Sequence, residues 1–111
     1  MPRPVRRVDI YLPVNFNDRR TIPESMFSRL ENELLTKFGG VTSVQSDFPL
    51  RGLWRGRSVA YEDHVVVLTA MDFDVDDAPV FYDYLHRLKS RLKRRFRQLD
   101  VLITVQDLVA V

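Results

Sequence analysis

Residues 6–13 alternate, with Val8, Ile10 and Leu12 on one side and Arg7, Asp9 and Tyr11 on the other, and Pro13 ends the run. This period of two is the signature of a strand with one apolar face. After a polar connection from Asn15 to Arg20, Thr21-Ile-Pro-Glu24 reads as a capping box that opens a helix. Phe27, Leu30, Leu34 and Phe38 then recur at helical spacing, flanked by Met26 and Leu35, and Gly39 supplies a left-handed stop. Val41 to Gln45 forms a short strand candidate, and the stretch from Ser46 to Arg57, with Pro49, Gly52 and Gly56, reads as irregular.

Ser58 to Tyr61 extends toward the next strand. His64 to Met71 is apolar on both faces, Val65, Val67 and Met71 opposing Val66, Leu68 and Ala70, as in a central strand. An acidic connection from Asp72 to Asp77 follows. Asp76 or Asp77 caps a second helix that has Pro79 in its first turn, and Phe81, Leu85, Leu88, Leu92 and Phe96 form its buried stripe, with the helix running to about Gln98. Val101 to Val105 alternates again, and 107–111 continues it or forms a tail.

The order β-α-β-β-α-β predicts an α+β, ferredoxin-like domain spanning 1–111, a four-stranded antiparallel sheet with two helices on one face. Its first and third strands are central. The helix-free face of the third strand is then itself apolar, an expected surface for a homodimer packed sheet on sheet.

The chain has 111 residues, 45% hydrophobic and 29% charged, in keeping with one globular domain that buries a core unaided. It contains no cysteine, which removes disulfides, thiolate metal sites and cysteine nucleophiles and fits a reducing compartment. No run approaches a bilayer span, and Met1 to Arg7 leads into the alternating strand without an apolar signal core, so a cytoplasmic protein without a membrane partner is expected.

Charge is nearly balanced at +2 but segregated. Between 61 and 86 stand Glu62, Asp63, Asp72, Asp74, Asp76, Asp77 and Asp83 with no Lys or Arg. Between 87 and 97 stand Arg87, Lys89, Arg91, Lys93, Arg94, Arg95 and Arg97 with no acid. The bases, in particular Arg87, Arg91, Arg94, Arg95 and Arg97, are candidates for a polyanion. The competing reading is a solvated helix whose acidic start and basic end suit its macrodipole, and it is preferred. Base recognition on the sheet is disfavoured, because Tyr11 is the aromatic of the first strand and 64–71 has none.

Asp72-Phe-Asp74-Val-Asp76 begins like a calcium loop, but Asp77 stands where glycine is needed and Pro79 breaks the pattern, so no metal site is assigned. No cofactor motif, phosphate loop, nucleophile elbow or paired-histidine spacing appears, and no catalytic residue is assigned. The ligand or partner candidates are Asp9 and Tyr11 on the first strand, Glu62 and His64 entering the third, and the connecting segment with Trp54 between glycines beside Arg51, Arg55 and Arg57. Glu62 and His64 share a strand face, whereas Asp63 and His64 do not.

Phe38-Gly39-Gly40-Val41-Thr42, Gly52-Leu53-Trp54 and Arg94-Arg95-Phe96 are arranged along the chain in a way that resembles a family of small bacterial α+β proteins of unknown function. The resemblance implies a ferredoxin-like domain and brings no catalytic residue with it; the acidic 72–77 segment has no clear counterpart there. The reading that follows is a homodimeric binding module without catalysis, open to a protein partner. A dimeric α/β-barrel-type ligand-binding protein or enzyme, with a pocket between sheet and helices approached by Asp9, Tyr11, Trp54, Glu62 and His64, is the first alternative. A nucleic-acid-binding accessory protein using the second helix is the other.

Overall fold

The computed structural model describes residues 1–46, 65–75 and 77–111. Its elements run β1 (Arg3–Pro13), α1 (Glu24–Phe38), β2 (Val41–Ser46), β3 (Val65–Asp72), α2 (Ala78–Arg95) and β4 (Leu102–Ala110). The strands form one sheet in the order β2-β3-β1-β4, every neighbouring pair antiparallel. This is the expected ferredoxin-like arrangement, with β1 and β3 at its centre.

The alternation in β1 decides which face the helices cover. Val8, Ile10 and Leu12 are fully buried and join Leu68, Phe27, Leu30, Leu34, Phe81, Leu85, Leu88, Leu92 and Phe96 in one core. Each fully buried leucine contributes about 2 kcal/mol of transfer free energy. The register puts Val8 opposite Ala70 and Val105, and Ile10 opposite Leu68 and Ile103. Residues directly opposite share a face, so the helices cover the Val66/Leu68/Ala70 side of β3 and leave Val65, Val67, Thr69 and Met71 on the other. The rings of Phe27 and Phe96 meet at 5.5 Å between centroids and close the two helices on each other.

Arg6 is a charged member of the helix-covered face, only 7% exposed, at the end of the sheet. Its guanidinium lies 4.6 Å above the Phe81 ring, donates to the Val75 carbonyl at 2.7 Å and stands 3.9 Å from the Asp72 carboxylate. It therefore ties the β3–α2 connection to β1. The acidic segment is absorbed the same way: Asp72 accepts from the Asp74 N–H, and Asp77 caps α2 by accepting from the Val80 N–H at 3.2 Å.

Three local expectations are corrected. Thr21 does not cap α1: it pairs in an isolated bridge with Asn15, the Ile22 N–H bonds the Val14 carbonyl, and the helix starts after Pro23 with no side-chain cap. With the cap position at Pro23, Glu24 becomes the first helical residue and cannot reach back as a capping-box glutamate. Leu35 is 48% exposed, because it lies one residue past Leu34 and so about 100° around the helix from the buried stripe.

The third correction concerns the end of α2, which stops at Arg95 and not at about Gln98. Arg97 takes φ 52°, its N–H bonds the Arg94 carbonyl, and the Gln98 N–H bonds the Lys93 carbonyl. This is a Schellman closure with arginine where glycine is favoured. Gly39 closes α1 at φ 83°, donating to the Leu35 carbonyl. β4 runs through Ala110, so 107–110 continues the strand.

Arginine in the left-handed region costs about 1 kcal/mol relative to glycine. Arg97→Gly is therefore expected to raise the urea midpoint of unfolding; a lowered midpoint would mean that the Arg97 guanidinium, 5.4 Å over the Phe16 ring, matters more than the backbone.

Candidate functional site

The pleat that sends Val8, Ile10 and Leu12 under the helices sends Arg7, Asp9 and Tyr11 to the other face. The register then builds two belts across the sheet. Asp9 on β1 faces Thr69 on β3 and Thr104 on β4, and Thr69 in turn faces Thr42 on β2, giving a polar belt of three threonines and one aspartate over all four strands. One step along, Tyr11 faces Val67 and Leu102, an apolar belt. On the other side of the polar belt Arg7 stands between Met71 and Gln106.

Asp9 is the focus of this face. The residue is 5% exposed, yet it carries a carboxylate. The Thr69 hydroxyl donates to one oxygen at 2.5 Å, and Arg7 Nε reaches the two oxygens at 3.1 and 3.3 Å from two residues along the same strand. A buried carboxylate requires such donors, since an unpaired one would lose its hydration without compensation. A carboxylate has about four acceptor sites, so these two donors leave further acceptor capacity on the belt.

Asp9 and Tyr11 thus share one face, two residues and about 7 Å apart along the strand. It is the face turned away from the helices, and the expected pocket for them between sheet and helices is corrected accordingly. Arg51, Trp54, Arg55, Arg57, Glu62 and His64 lie outside the described residues, as does Asp76. The threonines of the belt and Arg7 were not singled out from the sequence. Arg7 was legible there from the alternation, but Thr69 and Thr104 acquire meaning only once the register aligns them with Asp9.

The basic run of α2 divides among several partners. Arg87 pairs with Asp83 one turn earlier, Lys89 reaches Asp100 at 3.2 Å, and Arg95 reaches Glu33 on α1 at 3.0 Å. Arg91 stands 6.0 Å from the Tyr84 ring, Arg97 has left the helix, and Arg94 is exposed. Tyr84 also stacks edge-on against Phe38 at 5.7 Å and carries the Lys37 ammonium 4.6 Å over its ring. Burial pushes its phenol above the usual tyrosine range, partly offset by Arg91.

Among the described residues no group of three or more His, Asp or Glu side chains is placed to hold a metal ion. Among them, too, no helix is long and apolar enough to cross a membrane.

Two measurements test this account. Thr69→Val removes a hydroxyl from a buried charged acceptor and is expected to cost about 1–3 kcal/mol, whereas Thr104→Val, with no bond to Asp9, is expected to change stability by less than about 0.5 kcal/mol; equal costs by urea titration would reject the special role of Asp9. The raised phenol of Tyr84 binds its proton more tightly folded than unfolded, so its contribution to stability is complete below the ordinary tyrosine range and is lost as pH rises through the folded value. Ultraviolet titration should show a tyrosine ionising above the ordinary range, and Tyr84→Phe should remove that step.

No protein-family model matches the chain, and no curated protein does. Among solved structures, the chain is similar to a phage SAM lyase in complex with S-methyl-5'-thioadenosine, with a TM-score of 0.66 over 96% of this chain and 89% of that one. The two are 13% identical, and the likeness is one of fold.

Proposed function

We propose that the protein is a ligand-binding module that works at the helix-free face of its sheet as a homodimer. Val67 and Leu102 of the apolar belt meet a second copy, and the polar belt centred on Asp9, with the Tyr11 ring beside it, receives a small molecule. The observation that carries this reading is the buried Asp9 carboxylate on the face that the helices leave uncovered, held by Thr69 and Arg7.

The ligand class is an adenosyl thioether or sulfonium. The fold neighbour, a phage SAM lyase, is bound to S-methyl-5'-thioadenosine. The belts match that chemistry independently: a carboxylate accepts from the two hydroxyls of a ribose or sits against a sulfonium charge, and a tyrosine ring one belt away offers a face for a purine. A carboxylate, three threonine hydroxyls and a guanidinium on one sheet face are groups that bind and orient a polar ligand, and the reading is one of binding.

Calorimetric titration with S-methyl-5'-thioadenosine and with SAM tests it. Binding of at least one is expected, weakened about tenfold or more by Asp9→Asn, the loss of one charge-assisted hydrogen bond. Absence of heat with both ligands would overturn the ligand class, and conversion of SAM during the titration would replace a binding module with an enzyme. Light scattering on Val67→Arg tests the dimer: a folded monomer is expected, and an unchanged mass would place the interface elsewhere.

A further inference from the structure

On the opposite side of the molecule the exposed flanks of α1 and α2 enclose a shallow groove of about 1010 Å³. Its charged lining consists of Arg29 and Glu33 from α1 and Arg91 and Arg95 from α2, with Tyr84 at one side. Three guanidiniums therefore line the groove with one carboxylate, which two of them contact. Glu33 is held by Arg95 at 3.0 and 3.2 Å through its two oxygens and by Arg29 at 3.5 Å. Arg91 has no carboxylate partner among the described residues and rests beside the Tyr84 ring. The rest of the α1 wall is small and polar, Ser25, Ser28, Asn32 and Thr36, which lets a ligand backbone approach the helix closely.

We propose that this groove binds the phosphate backbone of a single-stranded nucleic acid, with Glu33 occupying an anion position that an incoming phosphate takes over. The excess of guanidinium over carboxylate favours a polyanion, and the Arg95–Glu33 fork already has the bidentate geometry that guanidinium offers a phosphate. The shape favours an extended ligand over a single ion. The α1 wall runs from Ser25 to Thr36, about 16 Å at 1.5 Å per residue, and Arg91 and Arg95 stand one helical turn, about 6 Å, apart. A shallow concave groove admits one strand, whereas a duplex presents a convex surface to it. This differs from the polyanion reading of the sequence, which rested on Arg87, Arg91, Arg94, Arg95 and Arg97 together: Arg91 and Arg95 line the groove, and Arg29 on the other helix completes it.

The test is fluorescence polarisation of a labelled single-stranded oligonucleotide of about 16 nucleotides with the full chain over a range of salt. Binding is expected at low salt and falls as salt rises, and Arg91→Glu weakens it about tenfold and lowers the salt slope by about 1 or more. Glu33→Gln is expected to tighten binding, because it releases Arg29 and Arg95, and a purely structural salt bridge predicts no such gain. Lys93→Glu makes the same charge change two residues from both Arg91 and Arg95, hence across the helix, and is expected to leave binding within about threefold. No binding at low salt, equal weakening by Arg91→Glu and Lys93→Glu, or no gain from Glu33→Gln in a variant with an unchanged circular dichroism spectrum would each overturn the proposal.

Discussion

The placement of the charged side chains of the sheet depends on the burial of Val8, Ile10 and Leu12 beneath two helices. β1 is a central strand, hydrogen-bonded to β3 on one side and to β4 on the other, and three fully buried aliphatic side chains fix its orientation. A strand so anchored cannot turn over without exposing all three, at about 2 kcal/mol each. Arg7, Asp9 and Tyr11 are thereby committed to the opposite face. The polar belt follows from a hydrophobic constraint, since Asp9 stands where it does because its neighbours are in the core.

The same constraint separates the molecule into two surfaces of opposite chemistry. The sheet face away from the helices carries a carboxylate fed by a hydroxyl and a guanidinium, a centre suited to hydroxyl-bearing or cationic ligands. The outer helix surface carries an excess of guanidinium around one carboxylate, suited to anions. The helices and sheet lie between them, so ligands of opposite chemistry would not compete. The likeness to a phage SAM lyase, at 13% identity, is one of fold and assigns no chemistry to either surface.

Charge segregation along the sequence proves to be largely local accounting. Asp77 caps α2, Asp72 meets Arg6 at the end of the sheet, Asp83 pairs with Arg87, and Lys89 with Asp100. An acidic start and basic end suit the macrodipole of α2, which explains the pattern without a ligand. Beyond those pairings stand Arg91 beside Tyr84, and the way Arg95 and Arg29 converge on a single glutamate.

The element order, the buried stripes of both helices and the division of β1 into a Val8/Ile10/Leu12 side and an Arg7/Asp9/Tyr11 side were legible in the sequence, whereas the pocket expected for Asp9 and Tyr11 between sheet and helices was not what the fold built. The legible features follow from periods of two and 3.6, which a hydrophobic core imposes locally. The sequence did not determine that Asp9 meets Thr69, 60 residues away, or that Arg95 meets Glu33, 62 residues away. Alternation assigns a side chain to a face but says nothing about register, and threonine is equally at home on either face. Thr21 shows the same limit from the other direction: its local capping pattern lost to a bridge with Asn15 that only the folded chain brings about. Register and pairing are set by contacts between distant segments, and the neighbours of Asp9 and Arg95 were therefore settled only by the tertiary structure.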